Sequence, residues 1–285
     1  MAEAIDQLKS AFRGELIQPT DGAYDAARKV YNAMIDKRPK LIARCVDVAD
    51  VMAAVRYGRE NGMLTAIRGG GHNGGGLGIC DGGLVIDLSR MKSVRVDPAA
   101  RTARVGAGCV WGDVDHATYP FGMAVPSGFI STTGVAGLTL GGGIGYLTRR
   151  YGLTIDNLLS VDMILADGRF VIANAKENAD LFWAVRGGGG NFGVVTSFEF
   201  RVHPVSTVQF GPTLWPLEQA AEVLKFYRKF IVTAPEEVDG FFAFMVIPPR
   251  RCFPSIFIRR PSAALSGAEP GLPRKRRKRP APCAA

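Results

Sequence analysis

Apolar residues recur at regular spacing along the first 249 positions, and the spacing switches several times between helical and strand-like. AYDAARKVYNAMI (23–35) carries them at helical intervals and, with the preceding residues, predicts a helical segment over 1–38. PKLIARCV (39–46) reads as a short strand. DVADVMAAVRYGRENG (47–62) follows as a helix, with Asp47 as cap, Val48, Val51, Met52 and Val55 on its apolar face and Gly62 as stop. A second apolar run, Leu64–Ile67, completes a β-α-β unit. LVIDL (84–88) predicts a buried strand, and SVRV-DPAA-RTARV (93–105) two strands around an Asp-Pro turn. GAGCVWGDVDHATY (106–119) turns helical after its glycines, and LLSVDMILADGRFVIAN (158–174) reads as a hairpin turning at Asp167-Gly168. DLFWAVRGGGGNFGVVTSFEFRVHPV (180–205) is a helix, a glycine loop and a strand. Beyond His203-Pro204 the composition shifts, and strand, helix and strand follow in STVQFGPTLWPL, EQAAEVLKFYRKFIV and DGFFAFMVI. From Arg250 the period is lost in a Pro/Arg/Ala-biased tail, expected to be disordered.

Glycine changes this picture. Nine of residues 68–83, six of residues 134–145 and five of residues 187–193 are glycine. Glycine loses the most entropy on folding, so such density needs a reason. One reason is tight turns and close backbone packing; the other is a nest of backbone N–H groups around phosphate. Three such loops beside strands, the first holding Arg68 and His72-Asn73, favour a large anionic cofactor. GAGCVWG has the spacing GxGxxxG rather than GxGxxG, and no acid stands where a nicotinamide-binding Rossmann unit needs one. No GxxxxGK[ST] occurs, which excludes a P-loop.

The formal net charge of +9 suggests nucleic acid, but residues 250–285 hold ten Lys/Arg against one acid, Glu269, and residues 1–249 carry 25 of each sign. The basic signal therefore belongs to the tail, and no specific nucleic-acid partner is expected. Five scattered cysteines without a CxxC pair give neither a disulfide framework nor a zinc site, and three dispersed histidines make no metal site. Residues 116–148 lack Asp, Glu, Lys and Arg, yet their glycines and proline break the backbone too often for a lipid-exposed span. No secretory signal is read at the N-terminus, so a cytoplasmic protein without a membrane segment is expected.

RGGGHN, VGAGCVWGDV, VPSGFISTTGVAGLTLGGGIGYLTRRYGLTIDNL and DLFWAVRGGGGNFGVVT, in this order, resemble the berberine-bridge-like FAD-linked oxidases, members of the vanillyl-alcohol-oxidase superfamily with a PCMH-type FAD-binding domain. The resemblance runs from about Pro39 to Pro204. It implies an α+β fold: a PCMH-type domain of two α/β subdomains over 39–205, then an antiparallel-sheet substrate domain begun over 206–249 and left incomplete before the 250–285 tail. It implies FAD as cofactor. Arg68, Gly69, Gly70, Gly71, His72, Asn73 and Gly74 match the loop that cradles the pyrophosphate, with His72 bonded covalently to the flavin 8-methyl group. Pro126, Ser127, Gly128, Thr133, Gly134 and Gly137 match the segment passing the isoalloxazine and phosphates. Gly141, Gly142 and Gly145 continue the cradle, and Asn191 and Val195 match residues near the phosphate–adenosine portion. Some relatives add a cysteine link; Ile130 stands at that position and cannot form a thioether, so a single covalent link is expected.

The chemistry implied is oxidation of an alcohol, an amine or an activated C–H group by hydride transfer to flavin, with dioxygen the expected acceptor. The family's base comes from the later part of the chain, so none is named here. Tyr146 and Tyr151 are candidates, each set against a packing role, while Trp111, Trp183, Tyr119, His116 and His203 are read as structural and Cys80 and Cys109 as buried thiols. The tail reads as translation out of frame, making the chain a truncated member and leaving a flavin-binding remnant without turnover as the alternative.

Overall fold

The computed structural model describes residues 2–205, 207–246 and 261–270. The chain divides into two compact units: the described residues up to Gly145 with Leu153–Pro204, and Tyr146–Gly152 with the described residues from Val205 onward.

The first unit begins with helix α1 (Ala2–Ala11) and strand β1 (Glu15–Ile17). β1 pairs antiparallel with β2 (Leu41–Arg44), so residues before 39 contribute to the same sheet as the β-α-β unit. The helix expected over 23–35 shrinks to α2 (Tyr24–Ala27). Tertiary partners take the groups a longer helix would need: Ala27 O accepts from the Arg68 guanidinium at 2.7 Å, and Tyr31 N–H donates to Gly71 O at 3.1 Å. Those two groups would otherwise bond to each other in an i to i−4 helix.

The β-α-β unit forms as its pattern predicts. Helix α3 (Val48–Glu60) starts where the Asp47 carboxylate accepts from Asp50 N–H at 3.0 Å, and it buries Val51, Ala54 and Gly58 along one stripe. Asp50 is fully buried, and its carboxylate accepts from the N–H groups of Arg13, Gly14 and Val46 at 2.8–3.0 Å. β3 (Thr65–Arg68) and β2 each pair in parallel with β4 (Leu84–Asp87), giving the order β1-β2-β4-β3. All four residues of β4 are buried, as expected for a central parallel strand.

The second sheet of this unit is antiparallel. β5 (Val94–Asp97) and β6 (Thr102–Gly106) form the hairpin read around Asp97-Pro98, and β7 (Leu158–Ile164) and β8 (Phe170–Asn174) the one turning at Gly168, where φ is +86°. β9 (Val194–Arg201) lies between them, for an order of β5-β6-β9-β7-β8. Its Phe198 and Phe200 are fully buried, and Phe200 meets Trp111 of helix α4 (Trp111–Thr118) at 5.7 Å between ring centres. Trp111 is thus a core aromatic. Trp183 is not: it is 74% exposed, because helix α7 (Ala179–Val185) turns Phe182 and Val185 into the core and leaves Trp183 outside.

In the second unit, β10 (Val208–Pro216), helix α8 (Ala220–Thr233) and β11 (Asp239–Val246) follow the predicted strand, helix and strand. Residues 261–270, expected to lack regular structure, form β12, which pairs antiparallel with both β10 and β11. Both neighbours would otherwise present unpaired edges, and a backbone ladder satisfies them without a periodic side-chain pattern. The RKRRKR stretch lies outside the described residues. Residues 146–152 belong to this unit because Arg149, in helix α6 (Thr148–Tyr151), donates to the carbonyls of Ala234 and Pro235 at 3.1 Å and to that of Val238, satisfying acceptors past the end of α8. Among the described residues no helix is long and apolar enough to cross a membrane.

Candidate functional site

The first glycine loop leaves the end of β3 and passes the segment before helix α5 (Val135–Leu140) at backbone contact distance. A Cβ on Gly70 would lie 2.5 Å from both Cα and N of Gly134, so neither position tolerates a side chain without moving a main chain. Gly71 has φ of +69°, a left-handed conformation that glycine adopts without strain. The N–H groups of Gly70, Gly71, His72 and Asn73 donate to no group among the described residues. Four adjacent free donors are an unmet demand of the kind an anion satisfies.

These donors border a cavity of 610 Å³ within the first unit, a size typical of small-molecule sites. Arg68, Gly69, Gly70, Gly71, His72, Asn73, Thr133, Gly134, Gly137, Gly141, Asn191 and Val195 all line it, so residues more than 100 positions apart meet around one cavity. Gly137 and Gly190 also line it, and a Cβ at either would meet nothing within 4 Å. Gly74, Pro126, Ser127, Gly128, Gly142 and Gly145 are not part of this lining. Gly145 instead lies against the Ser127 carbonyl, and a Cβ on Gly128 would come within 2.5 Å of the Leu138 side chain.

Two expected roles come out differently. Arg68 is not a free cation for an anion: it is 6% exposed and paired with Asp87, Nη2 to Oδ2 at 2.8 Å. Burial pushes the Asp87 carboxyl up, but the Arg68 charge and hydrogen bond, with the Ser89 N–H, outweigh it and hold the pKa below the ordinary value. Arg68 Nη1 remains buried without a partner. The amides of Asn73 and Asn191 serve local turns, Asn73 Oδ1 accepting from Leu77 N–H at 3.0 Å and Asn191 Nδ2 donating to Gly188 O at 2.9 Å.

His72 is half-buried between two hydroxyls. Nε2 lies 3.1 Å from Thr132 Oγ1 and Nδ1 3.5 Å from Thr133 Oγ1. The Tyr31 ring stacks on the imidazole, with centres 4.0 Å apart and planes 19° from parallel. Burial lowers the His72 pKa, favouring the neutral, nucleophilic imidazole. Sequence reasoning missed Tyr31, Thr132 and Asp87. Asp87 left a signal, a lone acid in the buried run LVIDL that the parallel register sets opposite Arg68, and Thr132 stands beside Thr133 in the third motif; Tyr31 left none.

The other residues singled out are not in the cavity lining. His203 exchanges backbone hydrogen bonds with Ala124, and its Nε2 lies 2.6 Å from Asn157 Oδ1. His116 and Tyr119 are exposed at the end of α4, and Ile130 is 53% exposed. Cys80 and Cys109 are buried thiols whose pKa values burial raises. Tyr146 meets Phe210 at 4.8 Å within the second unit, and Tyr151 carries the Arg150 guanidinium at 5.3 Å. No cluster of metal-ligating side chains occurs among the described residues.

Residues 39–174 match the FAD binding domain family. The chain is 42% identical over 193 residues to (R)-6-hydroxynicotine oxidase of Paenarthrobacter nicotinovorans, covering 68% of this chain and 42% of that protein. It is 37% identical over 227 residues to the FAD-linked oxidoreductase YgaK of Bacillus subtilis, covering 78% and 50%. Among solved structures, BBE-like 1 of Physcomitrella patens superposes with a TM-score of 0.83 at 32% identity, covering 93% of this chain and 56% of that one. The chain thus spans about half the length of the curated relatives it matches. The residues present fit the group this family binds: free N–H donors suit a pyrophosphate, and at Gly137 and Gly190, which line the cavity, a Cβ would meet nothing within 4 Å. The chain belongs to the FAD-linked oxidoreductases with a PCMH-type FAD-binding domain, the berberine-bridge-like group of the vanillyl-alcohol-oxidase superfamily.

Proposed function

We propose that the 610 Å³ cavity holds FAD, that His72 carries it through a single covalent bond to the flavin 8-methyl group, and that the complete activity oxidises a small alcohol, amine or activated C–H group. The observation that carries this reading is the convergence of His72, the free N–H groups beside it and the open glycines around one cavity. Bound there, FAD would supply hydride acceptance and electron delivery to dioxygen. The chain's own residues do the rest. Gly70–Asn73 offer donors to the pyrophosphate, Leu88 and Leu140 give the lining a buried apolar wall, and His72 presents a neutral nitrogen.

The purified chain should be yellow, and its flavin should stay with the protein after acid precipitation. Colourless protein overturns the FAD assignment; flavin released entirely into the acid supernatant overturns the covalent link. His72→Ala should keep dissociable FAD and lose the acid-stable fraction.

A second reading, a flavin-binding protein without turnover, is favoured by one observation. Among the described residues lining the cavity, Arg68 and His72 are the titratable ones, the first committed to Asp87 and the second to the cofactor in the reading above. Anaerobic bleaching of the bound flavin by a panel of alcohols and amines separates the two: bleaching supports the oxidoreductase, and none with any member supports the second reading.

A further inference from the structure

The imidazole of His72 separates two cavities. Thr133, the hydroxyl nearer Nδ1, lines the 610 Å³ cavity and not its neighbour; Thr132, the hydroxyl nearer Nε2, lines an adjoining 450 Å³ cavity and not the first. At 3.1 Å the Nε2 contact is a proper hydrogen bond, whereas 3.5 Å at Nδ1 is too long for a strong one. A neutral imidazole has one N–H and one lone pair, and a threonine hydroxyl can accept from the first or donate to the second. In the tautomer in which Nε2–H donates to Thr132 Oγ1, the lone pair lies on Nδ1, the nitrogen nearer Thr133 of the larger cavity. The N-terminal segment fixes the ring plane. Tyr31 stacks on it, Tyr31 N–H donates to Gly71 O at 3.1 Å, and Asn32 Nδ2 donates to Gly74 O at 2.9 Å, which ties both strands of the loop down around His72.

We propose that Thr132 and Tyr31 are positioning residues for covalent flavin attachment, Thr132 by holding the proton on His72 Nε2 so that Nδ1 forms the bond, and Tyr31 by holding the imidazole plane. This inference rests on the covalent reading given above. The bond formed joins Nδ1 to the 8-methyl carbon. That carbon gives up one proton and the imidazole gives up the one on Nε2, through Thr132 to solvent. The electron pair released, with those two protons, passes to dioxygen, which leaves as hydrogen peroxide. Thr132 stands beside Thr133 in the third of the motifs that mark the family, whereas Tyr31 lies before the matched region altogether.

The test uses the full chain prepared without flavin and then given FAD in air. Total bound flavin is read from absorbance and acid-stable flavin from in-gel fluorescence against time. Thr132→Val should bind FAD to the wild-type level but attach it about 10–100-fold more slowly, the range seen when the partner orienting a functional histidine is removed. Thr132→Ser should restore the wild-type rate, and Tyr31→Phe should behave as wild type while Tyr31→Ala slows attachment. Peptide analysis of the wild type should place the flavin on Nδ1. Wild-type attachment rates in Thr132→Val, or a flavin on Nε2, overturn the proposal. A wild type with bound but wholly acid-labile flavin overturns the covalent reading itself, and a variant that binds no FAD is replaced by Thr132→Ala under the same criteria.

Discussion

The Arg68–Asp87 pair under the first glycine loop sets up a measurable asymmetry. Asp87 is 2% exposed and Arg68 6%, and the 2.8 Å contact between them is supplemented by Arg44 Nε at 3.3 Å. Removing one charge from a buried pair costs about 3–5 kcal/mol, because the other charge remains desolvated. Asp87→Asn keeps an acceptor for Arg68 and removes only the charge, so it belongs at the lower end, about 3 kcal/mol. Asp87→Ala also removes the acceptor and belongs near about 5 kcal/mol. For a unit of this size the milder variant should lower Tm by about 6–12 °C. Replacing both partners, with Arg68→Met and Asp87→Leu, should restore stability to within about 1–2 kcal/mol of wild type, since neither charge is then buried alone. Urea and thermal unfolding of flavin-free protein, followed by far-UV circular dichroism, measure all three. The pH dependence carries the same sign. A depressed carboxyl stabilises the fold above its ordinary pKa of 3.8 and loses that contribution as pH falls through the lower folded value. Asp87→Asn should therefore flatten the loss of stability below about pH 4. A cost under about 1 kcal/mol for Asp87→Asn would show that water reaches Arg68 and refute the reasoning.

Gly70→Ala places a methyl group 2.5 Å from the Gly134 backbone and should cost about 1–3 kcal/mol by thermal unfolding, while Gly74→Ala, with nothing within 4 Å, should cost under about 0.5 kcal/mol. Gly137→Ala lies within α5 and should raise the stability of the flavin-free chain by up to about 1 kcal/mol, yet reduce bound flavin by absorbance, because its methyl group projects into the cavity. Trp183→Ser should change stability by less than about 0.5 kcal/mol and Trp111→Phe by about 1 kcal/mol or more, reversing the ordering if Trp183 were a core residue. Covalent flavin loading should persist below pH 6.5, because burial lowers the His72 pKa and keeps the imidazole neutral there; a loading midpoint above 6.5 contradicts this.

Elements whose determinants are local were legible in the sequence. The Asp47 cap, the Asp97-Pro98 and Gly168 turns and the buried strand β4 each depend on a few neighbouring residues, and each is where the pattern puts it. What escaped depends on distant partners. Residues 23–35 have helical spacing, but Arg68 and Gly71 claim Ala27 O and Tyr31 N–H across some forty positions. Trp183 reads as apolar, yet the helical phase of α7 is set by Phe182 and Val185. β12 has no strand period, and its place is fixed by the two ladders flanking it. The motif matches gathered most of the candidate site because they name loops that must meet around one cofactor. They contain Thr132 without marking it and leave Tyr31 out, because what each does at His72 is a contact made across 60 and 41 positions.

The glycine clusters also separate, in the structure, into two classes that their density in the sequence conceals. Gly70 and Gly134 exist for each other: a side chain on either would drive two main chains apart, so their requirement is met in the folded chain with no ligand present. Gly137 and Gly190 have no protein neighbour to accommodate, and at those positions glycine spends conformational entropy without any return in packing. Selection for stability would place alanine within α5. At these two positions glycine leaves the space beside the cavity lining open. The first class serves the close packing of two backbone segments, whatever the function; the second lines the cavity proposed for flavin, and the pairing of Gly137→Ala against Gly70→Ala separates them experimentally, the former expected to lose flavin without losing stability and the latter to lose both.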